Sequence, residues 1–200
     1  MTLEEYQALF TVGALVLILL AASPSVGLLV SFPDGRQRFS EFWVLGPNHM
    51  MEEYPFNVEV NGTSTVFVGV GNHLGVSSYY LVYVKFRNQS QPLPDAISFE
   101  PSSLPPLYEF HFVVAEDENW EKPLAFKILR VERGTNLTIV KGISINDVDF
   151  PVDSSAKWDS EYNGFYYQLF FELWFYNMTS RSLQYHERFV SIWLNLTSTI

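Results

Sequence analysis

Four histidines, His49, His73, His111 and His186, are the chain's candidates for metal binding or general-base work. No two stand at i, i+2 or i, i+4, the spacings that bring two imidazoles to one ion. Cysteine is absent, which removes thiol nucleophiles, disulfides, zinc fingers and iron–sulfur clusters together. No Gly-x-Ser-x-Gly elbow lifts a serine out of a strand-to-helix turn, so a Ser-His-Asp set has no local signature. Gly69 and Gly71, in "GVG", lie inside an apolar run and open no helix, which argues against a phosphate cradle. Asp147, Asp149 and Asp153 in one loop, and Glu116, Asp117 and Glu118 in another, offer oxygens of the kind calcium takes outside the cell. The EF-hand order is missing, and acidic turns are commonly just solvated. The expectation is a protein with no catalytic residues, no cofactor and no bound metal.

One residue pattern does recur. The acceptor sequence Asn-x-Ser/Thr occurs at Asn61, Asn88, Asn136, Asn177 and Asn195. Chance pairing of the chain's eleven Asn with its 28 Ser and Thr yields roughly 1.5 such sites. Four fall in turns or at expected strand ends, where a glycan projects into water; Asn195 falls on the face of a strand opposite its aliphatic residues. The formal net charge is -10, and no Lys/Arg cluster offsets it, so nucleic acid is not an expected partner.

These features need elements to hold them. From Ala8 to Phe32 there is no charged residue, and Thr2 with Glu5 forms a capping-box pattern just before. A helix over Ala8–Val30 has a length of about 35 Å, enough for the hydrocarbon core of a bilayer. Glu4 and Glu5 replace the basic start of a signal peptide, and a buried core helix would show a polar face. A transmembrane anchor over residues 1–33 is therefore expected, in contact with lipid, with Pro24 kinking it or releasing Val26–Phe32 as an extended exit. Arg36 and Arg38 after the span favour a cytoplasmic body, and the five sequons favour an extracytoplasmic one. The sequons outweigh two arginines.

Past Pro33, alternation replaces helical periodicity. Strands are expected at 37–45, 57–60, 64–72, 77–88, 107–115, 124–132, 136–145, 164–177 and 184–197, separated by Gly, Pro, Asn and Asp clusters. Eight or nine such strands over 34–200 read as an all-β, immunoglobulin-like antiparallel sandwich. Residues 89–106, with five prolines, and 146–163 read as long surface connections. Val66, Val68 and Val70 share one face of one strand, and Tyr80, Val82, Val84 and Phe86 share one face of the next. Asn72-His73-Leu74-Gly75 between them is a turn, and His73 belongs to its corner.

The last two strands carry more aromatic residues than one core face needs. Phe165, Tyr167, Leu169, Phe171, Leu173 and Phe175 line one side; Val190, Ile192, Leu194 and Leu196 form the matching row. That leaves Tyr166, Phe170, Trp174, Tyr185, Phe189 and Trp193 on the outer side, a candidate protein interface unless residues 89–106 or 146–163 fold over it.

The order of "RFSEFWVLGP" (38–47), "EEYPFNVEVNGTSTVFVGVGNHLGVSSYYLVYVKF" (52–86), "NWEKPLAFKI" (119–128), "YYQLFFELWFYN" (166–177) and "HERFVSIWLNLT" (186–197) resembles a mainly archaeal family of membrane-anchored proteins, domain of unknown function 1616. The resemblance spans most of residues 34–197, with one span here where the family often has several, and a longer 132–163. It implies an external β-domain on a membrane stem and no activity. The expected role is a non-enzymatic accessory or structural subunit of a surface complex, single-pass in the cell membrane, with a protein partner or self-assembly. The alternatives are a glycan-binding or adhesion module and a surface-filament subunit; the charged "TLEEY" start speaks against the last.

Overall fold

Valine alternation in residues 64–73 and 78–88 forces one face of each strand inward, and the rest of the sandwich assembles on that seam. The computed structural model describes residues 3–30, 38–95 and 97–197. It separates into two units, one holding the helix and one, from Arg38 onward, holding the strands. The helix runs Leu3–Val30, passing Pro24, so Val26–Val30 is helical and not the extended exit considered above. Its continuous stretch with described side chains, residues 9–19, is apolar apart from Thr11 and exposed apart from the half-buried Ala14. Among the described residues no helix is long and apolar enough to cross a membrane. Arg36 and the expected strand start at Gln37 lie outside the described residues.

The strands are β1 (Phe39–Leu45), β2 (Asn57–Val58), β3 (Ser64–His73), β4 (Ser78–Asn88), β5 (Tyr108–Val114), β6 (Asn119–Arg133), β7 (Leu137–Ile145), β8 (Val148–Lys157), β9 (Tyr166–Asn177) and β10 (Ser182–Leu196). They form two five-stranded sheets, β1-β3-β6-β7-β8 and β2-β10-β9-β4-β5, antiparallel except for the short β2–β10 pair. Between them, Val66, Val68 and Val70 meet Tyr80, Val82, Val84, Leu169, Phe171, Leu173, Ile192 and Leu194 in one core. The expected inward rows are the observed ones. In the second sheet β9 lies between β10 and β4, as the G-F-C strands do in immunoglobulin sandwiches. The first sheet departs from that pattern, because β6, β7 and β8 form a consecutive meander beside β3.

Two expectations are corrected. Residues 146–163 are not all connection: Val148–Lys157 is strand β8, with Phe150, Val152 and Ala156 packed inward and Asp149, Pro151 and Asp153 pointing out. Pro151 and the acids suit an edge, where the missing N–H is harmless. Asn146 and Asp147 both take positive φ (48° and 63°), giving the two-residue turn whose twist closes a hairpin. Second, β6 begins at Asn119, five residues before the expected start. Its first half pairs only with β3, so Pro123 sits where the other side of the strand has no partner.

Candidate contact surface

Pairing of β9 with β10 sets Tyr185 opposite Trp174, Phe189 opposite Glu172, Ser191 opposite Phe170 and Trp193 opposite Gln168. On its other side β9 pairs with β4, setting Tyr83 opposite Glu172 and Lys85 opposite Phe170. All six candidate interface residues therefore lie on the outer face of the second sheet, but not equally in solvent. Phe170 is fully buried and Tyr166 nearly so; Trp174, Tyr185 and Phe189 are half-buried; Trp193 is 42% exposed.

What covers the centre is the proline-rich connection 89–106, fastened by a buried ion pair. Lys85 Nζ lies 2.9 Å from Glu172 Oε2, with the side chains 4% and 0% exposed. The amide of Ser102 donates to Glu172 Oε1 at 2.9 Å, and Lys85 Nζ donates to the Ser102 carbonyl at 2.8 Å. Trp174 Nε1 gives Glu172 a further hydrogen bond at 3.3 Å. Two charges removed from water cost several kcal/mol each, so this arrangement holds only with every polar atom matched. One turn along, Arg87 donates to Gln168 Oε1 at 2.7 Å and to the Gln89 carbonyl at 2.6 Å, and burial lowers its pKa. Burial and the nearby Glu172 raise the pKa of Tyr185, so its hydroxyl stays neutral. The lone opposite charges in two apolar strands were the sequence signal for this latch; only Glu172 stood out, as one of the polar residues on the outer row.

The histidines occupy four separate corners. His49 stacks on Phe67 at 3.7 Å and bonds Glu121 at 2.7 Å; Glu121 also accepts from Trp43 Nε1 at 3.0 Å. The Trp43 indole lies over Gly69, where a Cβ would come within 2.1 Å of the ring. That is the reason for glycine in "GVG". His73 bonds Asp117 at 3.0 Å and His111 bonds Tyr79 at 2.7 Å and Glu109 at 2.9 Å.

His186 ends a buried relay. Asn72 Nδ2 donates to the carbonyls of Val76, Val114 and Ala115, which fixes its amide orientation. Its Oδ1 accepts from Leu74 N and from Tyr80 Oη, so the Tyr80 proton is spent there. Ser40, 2.7 Å from Tyr80, must then donate to it and accept from His186 Nε2 at 2.8 Å. Burial lowers the His186 pKa and keeps the ring neutral. Ser40 and Asn72 are fully buried, so this serine–histidine contact braces β1, β3, β4 and β10 and does not face a substrate. The expected Asn72–Gly75 turn begins later than the sequence pattern placed it: Asn72 and His73 close β3, paired with Ser40 and Phe39 of β1, and the chain bends at Leu74–Val76, with Gly75 at φ 82°.

Among the described residues no group of three His, Cys, Asp or Glu could hold a metal ion. The three acids expected in one loop are divided, Asp147 in the β7–β8 turn and Asp149 and Asp153 on β8, and Asp147 and Asp153 face Lys127 at 3.7 Å and Lys141 at 3.0 Å. Of the acceptor asparagines, Asn61 and Asn136 are exposed. Asn177 is half-buried and donates to Gln184. Asn88, expected at an open strand end, is 7% exposed and its Nδ2 donates to the Ser155 carbonyl at 2.7 Å, because β8 lies where a solvated loop was expected. Asn195 does point away from the aliphatic row, yet it is half-buried and bonded to Asn57 at 3.1 Å.

The profile of the family described as domain of unknown function DUF1616 matches residues 33–140, more than half of the 200-residue chain. The chain belongs to that family. The DUF1616 match covers β1 to β6 and the first residues of β7, including Trp43, Gly69, Asn72 and Glu121, the residues that lock the first sheet. It stops before β9 and β10, so the terminal strands included in the resemblance lie beyond it. No curated protein sequence matches the chain. Among solved structures, the crystal structure of the complex between zinc 2-glycoprotein and prolactin inducible protein from human seminal plasma is similar at 12% identity, covering 82% of this chain and 99% of that one. Its TM-score is 0.37, too slight a likeness to bear on topology or function.

Proposed function

We propose that this DUF1616 protein is a non-enzymatic surface subunit. Its N-terminal helix anchors it in a lipid bilayer, and its immunoglobulin-like sandwich stands outside the cytoplasm and contacts a protein neighbour. The carrying observation is at the margin of the second sheet. The core is complete without Trp193 and Tyr176, exposed on that sheet's outer face near opposite ends of the β9–β10 ladder, and without Ile97 and Phe99, exposed at the tip of the 89–106 connection. Large apolar side chains left in water on a face that the core does not need are what a protein neighbour would cover. The anchor rests on the charge-free run Ala8–Phe32 and on the exposed Leu9, Phe10, Leu15, Leu17, Ile18 and Leu19, which leave the helix no polar face to turn toward water. The extracytoplasmic placement rests on the exposed acceptors Asn61 and Asn136.

Purification of the full chain from its own membranes in a mild detergent tests the reading. A stoichiometric partner lost in Trp193→Ser plus Phe99→Ser, with the fold retained, is the expected result. Extraction by alkaline carbonate without detergent, or a lone monomer under all mild conditions, would refute it.

A further inference from the structure

At the margin of the second sheet, four chain segments enclose a groove of about 300 Å³ lined by Phe56, Gln89, Tyr162, Tyr166 and Trp193. Tyr166 is buried and forms the floor, 6.0 Å from the Phe56 ring and edge-on to Tyr162 at 6.4 Å. The other three rings are open to solvent, Tyr162 most of all at 66%.

The walls are tied down before any ligand arrives. Asn195 N donates to the Phe56 carbonyl at 2.7 Å, and Gln89 Nε2 donates to Asp159 Oδ2 at 3.3 Å. Asp159 Oδ1 accepts from Tyr162 N at 3.1 Å and Glu161 N at 3.0 Å, and the backbones of Asp159 and Gly164 bond each other in both directions. These bonds, led by the one from Tyr162, hold the Asp159 carboxyl below the usual carboxylate range. Tyr166 Oη donates to the Tyr162 carbonyl. Trp193 is set by its pairing with Gln168 across β9. A groove ordered in advance loses little conformational freedom on binding.

Its chemistry narrows the ligand. No lining residue carries a charge near neutral pH, and the molecule's net charge of -10 repels anions. A purely aliphatic ligand would cut the atoms of the exposed Gln89 amide that Asp159 does not bond off from water, and the Asp159 carboxylate beside it is a ready hydroxyl acceptor. A molecule with apolar C–H faces and hydroxyl edges satisfies both surfaces, and the volume accommodates roughly one or two sugar rings. We propose that this groove binds a neutral saccharide, with a pyranose face stacked on Trp193 and hydroxyls directed to Gln89 and Asp159. The site goes beyond the subunit reading and shares only Trp193 with it, so the titration uses chain freed of any partner and its failure leaves the subunit reading standing.

The test titrates the full chain, held in a detergent without a sugar head group, with three neutral probes: cellopentaose, mannopentaose and chitopentaose. A sulfated heparin pentasaccharide and pentaethylene glycol serve as counter-probes. Tryptophan fluorescence and calorimetry should show saturable binding of at least one neutral pentamer below about 10 mM. Affinity should fall about tenfold or more in Trp193→Ala and Tyr162→Ala, and by less than about threefold in Trp193→Phe, which keeps a ring face. Both positions carry exposed rings, and unchanged melting confirms the fold. No saturation with any neutral probe, unchanged affinity in both alanine variants, or preference for either counter-probe overturns the proposal.

Discussion

Removing the Lys85–Glu172 pair one side at a time gives a quantitative test of the latch under the 89–106 connection. In Lys85→Met, the Glu172 carboxylate stays buried with only the Ser102 amide and Trp174 Nε1 for company. In Glu172→Met, the Lys85 ammonium stays buried with the Ser102 carbonyl. Breaking a buried pair in this way costs about 3–5 kcal/mol. The double variant has no charge left to strand. It loses the two bonds to Ser102, at about 1–3 kcal/mol for each orphaned group, and the buried methionines return part of that. The singles together should therefore exceed the double by at least about 2 kcal/mol, a coupling far above the roughly 0.5 kcal/mol scatter of independent sites. Urea denaturation followed by tryptophan fluorescence measures the three costs. Amide exchange at Ser102 supplies the local readout and should accelerate in every variant, since each loses one or both of its ties. Additive singles, or single variants within about 1 kcal/mol of the parent, would show that the pair is not the fastening inferred here.

Four further outcomes follow from particular contacts. Gly69→Ala places a Cβ 2.1 Å from the Trp43 ring and should cost about 1–3 kcal/mol, with most of the loss absent in a Trp43→Ala background; equal losses in both backgrounds would contradict the packing. Asn72→Asp replaces the amide that donates to three carbonyls by an acceptor and should cost at least about 3 kcal/mol, measured by urea denaturation. The His186 pKa lies below 6.5 in the folded chain, so the unfolded state binds more protons and stability is full above about pH 6.5 and falls as pH drops through the folded value. His186→Gln, which keeps a donor to Ser40, should flatten that acid limb in melting profiles, and an unchanged slope would refute it. Mass spectrometry of protein from its own host should find glycan on Asn61 and Asn136 peptides and none on Asn88, whose amide is enclosed.

Period-two alternation was enough to place the core, because one wrong register would have turned Val66, Val68, Val70 and the Tyr80–Phe86 row into water. It was not enough for β8, whose alternation is carried by Phe150, Val152, Ser154 and Ala156 amid Asp and Pro. An edge strand buries little, so polar residues that repel further pairing hide its pattern, and only the Asn146-Asp147 turn announces it. Long-range partners left weaker traces still. Glu172 stands 87 residues from Lys85 and 70 from Ser102 along the chain, and nothing local says that a lysine between Val84 and Phe86 will find a carboxylate five strands later in the sequence. The aromatic margin shows both limits at once. Alternation put Trp193 and Tyr166 on the outer face, but the difference between an exposed wall and a buried floor depends on Phe56, Gln89 and Tyr162, which arrive from loops with no period of their own. A groove assembled from four segments is therefore a property of the closed sandwich. It is legible only once β2, β9 and β10 lie side by side and the Asp159 turn has fixed the ring of Tyr162 above them.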